Sequence, residues 1–148
     1  MTTQEGQWAA DLLALEQLHT LKVALWGAAS VVAGTVLVAV ASRWRDRSSL
    51  LFHFGVQNVI WGIVAAAIAL WWRSSIRLRD LHAAVALDRL TWFGAGLSVG
   101  AIALGVTLAV TGWRTGVRAG TVGAGIAIVV QGLAFMILQL QFSTTVVR

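Results

Sequence analysis

Apolar residues run through this chain in four long stretches, separated by short segments that hold most of the arginines. About 20 consecutive apolar residues of helix cross a bilayer core, and each stretch meets that length. The pattern predicts spans over residues 21–41, 50–72, 88–112 and 121–141. Ahead of them, Trp8, Leu12, Leu15 and His19 recur at helical spacing, with Gln7, Asp11 and Glu16 off that stripe. Residues 1–19 therefore read as an interfacial helix leading into the first span. The expected fold is all-α. Four antiparallel transmembrane helices form one up-down bundle over residues 1–148, with the N-terminal helix lying at the interface.

Turning each residue by about 100° sorts the spans into faces. In span one Gly27, Ser30 and Gly34 share a side, and in span two Gly55, Asn58 and Gly62 repeat that spacing. Small residues let neighbouring helices approach closely, so these are the expected packing faces. Span two also carries His53, Gln57 and Trp61 on its polar side, opposite Phe52, Val56, Val59, Ile60 and Ile63. In span three the narrow face is Gly96, Gly100, Ala103 and Thr107. In span four Gly125, Gln131, Gly132, Phe135 and Gln139 face inward, and Val122, Ile126, Val129, Val130, Leu133 and Ile137 outward. The Trp-Gly pairs Trp26-Gly27 and Trp61-Gly62 are alike, a similarity that shared Ala, Gly and Val bias explains.

Composition sharpens this picture. Hydrophobic residues make up 58% and charged residues 11%, against about 25% charged in a soluble domain. The net charge of +5 comes from arginines beside apolar runs, which suits lipid head groups rather than nucleic acid. With no cysteine, disulfides, thiol redox chemistry and thiolate metal sites are excluded. With no proline, the commonest cause of a sharp kink is missing. The first residues lack the basic start of a secretory signal. Trp8, Trp44, Trp71, Trp72, Trp92 and Trp113 fall near span ends, as interfacial belts do. Orientation is balanced: Arg43, Arg45, Arg47, Arg114 and Arg118 on one side face Lys22, Arg73, Arg77, Arg79, Arg89 and Arg148 on the other.

Depth limits what the polar residues can do together. His53 lies at the connector-one end of span two and Asp88 at the opposite end of span three. At about 1.5 Å of rise per residue, most of the membrane separates them, so they form no acid–base pair. Asp88, at a span end, is expected to snorkel and pair with Arg89 or another connector arginine. Asn58 and Gln131 share mid-depth and are expected to touch or to share a water. His19 and His82 lie at the end away from His53, so one haem cannot bridge His53 to either. Spans one, two and four contain no Asp or Glu, which weighs against proton-coupled transport. No nucleophile elbow, HExxH or paired carboxylates appear.

Trp26, the F-x-x-Q-N-x-x-W-G run through Phe54, Gln57, Asn58, Trp61 and Gly62, the Leu87-Asp88 pair and Gln131-Gly132 occur in order. In this the chain resembles a family of uncharacterised bacterial four-helix membrane proteins, over roughly residues 20–142. Members often carry an acidic residue where Gln139 stands and an Asn or Asp where Ala65 stands. A titrating site shared by the family is then missing here. The resemblance implies the fold and no particular activity.

The functional expectation is a non-enzymatic protein of the bacterial cytoplasmic (inner) membrane. It would bind a partner helix, lipid or small apolar ligand through His53, Gln57, Asn58, Trp61, Gln131 and Gln139. The packing glycines would be Gly27, Gly34, Gly55, Gly62, Gly96, Gly100 and Gly132. No catalytic residue, metal or cofactor is assigned. Partners are the bilayer and either a second copy or a larger membrane complex. An enzyme or haem subunit using His53 is the alternative, and a dimeric transporter stands behind it.

Overall fold

A computed structural model describes residues 3–43, 49–116 and 119–146. Trp44, Arg45, Arg47, Arg118 and Arg148, which figure in the expectations above, lie outside the described residues. Four helices follow in order: α1 (Thr3–Arg43), α2 (Ser49–Ser75), α3 (Leu81–Arg114) and α4 (Ala119–Val146). All four are long and apolar enough to cross a membrane.

The first helix corrects the expectation of a separate interfacial segment. It runs unbroken for 41 residues, about 60 Å at the α-helical rise, longer than the ~40–45 Å of a whole bilayer. Between Leu18 and Lys22 the sequence offers no glycine or proline to stop it. Its buried stripe continues as well. Ala9, Leu12, Glu16, His19, Val23, Gly27, Ser30 and Gly34 are buried at steps of three or four residues, with Ala9, Glu16, Val23 and Ser30 seven apart. That is the seven-residue repeat of left-handed helix pairing. Glu16 stands on this stripe, not off it, and Trp8 is exposed.

Helix α3 is bounded by local chemistry. The Asp80 side chain accepts from the Ala83 backbone N–H at 2.8 Å, an N-cap that satisfies one otherwise unpaired donor. At the far end Gly116 has φ of 65°, the left-handed conformation that closes helices without a Cβ clash.

Glycines set the helix contacts. A Cβ at Gly27 would stand 2.8 Å from the Gly62 carbonyl oxygen, and one at Gly34 would stand 2.6 Å from that of Gly55. Positions rise along α1 as they fall along α2. The α3–α4 contact uses Gly105 against Gly125, Gly112 against Val122, and Gly132 against the Ser98 carbonyl. Gly96 and Gly100 do not pack: a Cβ at either meets nothing within 4 Å. The buried side of α3 is instead Ala84, Leu87, Thr91, Ala95, Ser98, Gly105 and Gly112. Both faces of α3 carry small residues, and the pattern on α4 chooses between them. Gly125 and Gly132 are seven residues apart and receive Gly105 and Ser98, also seven apart.

Helix α4 is the centre of the assembly. It touches all three other helices, and α1 pairs with α2. Among the described residues, no Cα of α2 comes within 8 Å of one of α3, and none of α1 within 8 Å of α3. The ring of neighbours in a simple up-down bundle is therefore open between α2 and α3. Because α4 has neighbours on two sides, Val122, expected to face outward, is buried, and Val129 packs on Gly105.

Candidate functional site

The interior of the assembly is held by one amide. Gln131 on α4 is 1% exposed, and its carbonyl oxygen accepts from the Trp26 indole N–H at 2.8 Å. Its amide nitrogen donates to Asn58 Oδ1 at 2.8 Å and to Ser30 Oγ at 3.0 Å. Asn58 in turn donates to the Phe54 carbonyl, one turn back on its own helix, at 2.9 Å. The expected Asn58–Gln131 contact is present. Trp26 and Ser30 complete it, so three helices converge on a single side chain. Ser30 lies on the α1 stripe and Trp26 stands directly before Gly27 of that stripe, which is the sequence signal that marks them.

Beside this hub lies a cleft of about 300 Å³, where α2 and α3 stand apart over α4. Its α2 wall is Trp61, Val64 and Ile68, and its α3 wall includes Gly94, Leu97 and Ala101. Gln131, Phe135 and Gln139 form part of the floor. No titratable side chain lines it. Gln139 fits against Gly94, where a Cβ would stand 2.8 Å from the amide nitrogen. Its Oε1 is buried and has no hydrogen-bond partner. Of the residues expected to bind a ligand, Trp61, Gln131 and Gln139 therefore meet at one place.

His53 and Gln57 do not join them. His53 is exposed at the start of α2, with Nδ1 2.7 Å from the Ser49 carbonyl oxygen. It borders Gly120 at the beginning of α4. Gln57 is half-buried and outside the cleft lining. His82 is exposed in the first turn of α3. Among the described residues there is no group of three His, Asp or Glu side chains that could hold a metal ion.

A second polar cluster sits at the end of the molecule away from His53, and the sequence reading missed it. Glu16 is fully buried and receives Arg79 through two bonds, Nε to Oε2 at 2.9 Å and Nη2 to Oε1 at 2.6 Å. The Trp72 indole N–H donates to the same carboxylate at 2.6 Å. Hydrogen bonding to Glu16 raises the Arg79 pKa above its ordinary value. This fork of parallel bonds is the geometry for which guanidinium suits carboxylate. It ties α1 to the segment between α2 and α3. His19 packs next to it, stacked on Phe142 with ring centroids 4.5 Å apart. Among the described residues Asp88 makes no ion pair with an arginine, contrary to expectation: its Oδ1 is buried without a partner, and Arg79 pairs with Glu16. A glutamate at a helical step of four from Leu12 was the available signal.

A family described as a family of unknown function (DUF6992) matches residues 22–140, and the chain belongs to it. The matched region contains the Gln131 hub and the cleft, while Glu16 and His19 precede it. No curated protein and no solved structure matches the chain.

Proposed function

We propose that this member of the family is a non-enzymatic integral protein of the bacterial cytoplasmic membrane, and that its α2–α3 cleft holds an elongated apolar molecule. The helices would cross the bilayer in antiparallel up-down order, with connectors on both surfaces. One observation carries the reading: a largely apolar cleft stands open directly beside a polar core whose hydrogen bonds are made. A hub with satisfied donors and acceptors fixes the helices without asking for a ligand. The cleft walls, in contrast, remain without a protein partner. Binding sites for small molecules are commonly apolar concavities of ~300–1,000 Å³ with few polar groups, and Gln139 Oε1 is the unpaired acceptor here. His53 lies outside this cleft, which favours the binding reading over an enzyme or redox subunit centred on that residue.

Filling the cleft tests the reading. Val64 lines it and is 40% exposed, so Val64→Trp adds bulk there without entering the Gln131 hub. Native mass spectrometry of protein released from membranes should find a retained apolar adduct on the wild type and loss of most of it from Val64→Trp. An adduct-free wild type, or undiminished retention by the variant, rejects the proposal.

A further inference from the structure

The main cleft is not the only opening between α2 and α3. A second cavity of about 160 Å³ lies in line with it, one turn further along both helices, between Trp71, Trp72 and Ser75 on one wall and Ala86, Leu87 and Leu90 on the other. Along α2 the two openings run from Trp61 to Ser75, about 21 Å at the helical rise. Half of a bilayer, from midplane to the outer edge of the head groups, is about 20–22 Å. The trench thus has the length of one leaflet. Its deep end lies at the Gln131 hub near mid-helix, and its shallow end at Arg79, in the segment between α2 and α3.

The two ends differ in chemistry. The deep end is walled by Trp61, Leu97 and Ala101. The shallow end is lined by Ser75 and Arg79 together with Trp71 and Trp72. Arg79 gives two N–H groups to Glu16, and a guanidinium has five, so donors remain for another acceptor. Arg73 and Arg77 are exposed beside it. Of the acids at this end, Glu16 is bonded to Arg79 and Trp72, Asp80 caps α3, and Asp88 follows the cavity-lining Leu87 with its Oδ1 buried. With Arg89 exposed on the opposite wall, four arginines against three carboxylates leave the mouth basic.

Resting on the cleft reading above, we infer that the occupant is a membrane phospholipid with an anionic head group. One acyl chain lies along the trench toward Trp61, and the phosphate sits at Ser75 and Arg79. A basic residue near the membrane surface favours an anionic lipid by about fivefold, and that is the preference expected here.

The test uses the full chain in nanodiscs of equal parts phosphatidylglycerol and phosphatidylcholine with identical acyl chains. Native mass spectrometry then reads which lipid stays bound. Phosphatidylglycerol should be retained about fivefold over phosphatidylcholine. Ser75→Glu, at an exposed position, should bring the two to parity while retaining the helical circular dichroism of the wild type. Equal retention by the wild type overturns the head-group inference and leaves the cleft reading standing. Unchanged preference in Ser75→Glu also overturns it. Retention of neither lipid overturns both.

Discussion

Replacing Gln131 by leucine keeps the volume of the side chain and removes its amide. Three bonds disappear together: those to the Trp26 indole, to Ser30 and to Asn58. Interhelical hydrogen bonds in membranes average only about 0.6 kcal/mol, which would make the loss about 2 kcal/mol. What is left behind raises it. Ser30 can turn its hydroxyl to the carbonyl four residues back, and Asn58 keeps its bond to Phe54. The Trp26 N–H and the Asn58 carbonyl have no such escape. A stranded buried polar group costs about 1–3 kcal/mol, so Gln131→Leu should destabilise by ~2–4 kcal/mol. Unfolding by SDS in mixed micelles, followed by helical circular dichroism, measures it. A cycle with Asn58→Leu should show coupling of about 1 kcal/mol, because contacting residues are non-additive. A single-variant loss below about 0.6 kcal/mol, or strict additivity, would refute the claim that this amide holds the helices together.

The same assay separates the two halves of the buried ion pair. Arg79→Ala leaves Glu16, which is fully buried, as an unpaired charge and should cost ~3–5 kcal/mol. Glu16→Leu should cost less, about 1–2 kcal/mol at the upper end for hydrogen bonding, because Arg79 is 19% exposed and can turn its head group outward. Equal losses would contradict the burial asymmetry. Gln139→Leu removes an acceptor that has no partner, and it distinguishes two kinds of occupant. With an acyl chain in the cleft, the variant should gain about 1 kcal/mol of stability and keep its lipid. If the occupant donates a hydrogen bond to Oε1, retention in native mass spectrometry should fall.

Much of the core was readable from residue type and depth. Gly27 and Gly34 on one helix, and Gly55 and Gly62 on the next, are small residues spaced for close approach, and their backbones do meet. Asn58 and Gln131 are polar groups at matching depth in apolar runs, and such groups seek each other because apolar surroundings offer no other partner. The same reasoning failed where two solutions were equally small. Gly96 and Gly100 are spaced as well as Gly105 and Gly112, and only the latter pair is covered. Glu16 reads from periodicity as off the apolar stripe, and its partner Arg79, 63 residues away, is beyond the reach of local spacing.

By itself the sequence determined four helices, their length and apolar character, and the positions where two backbones can come close. Those properties belong to single residues and their local spacing. Tertiary structure alone decided that, among the described residues, the backbone of α3 comes within 8 Å of α4 and of no other helix, and that α2 and α3 part to leave a cleft. The reason lies in the apolar character of the spans. Lipid tails are as apolar as leucine, so hydropathy does not distinguish a residue facing lipid from one facing another helix. That choice is made by the fit of a partner's backbone and hydrogen bonds, and the partner is in place only once the chain has folded.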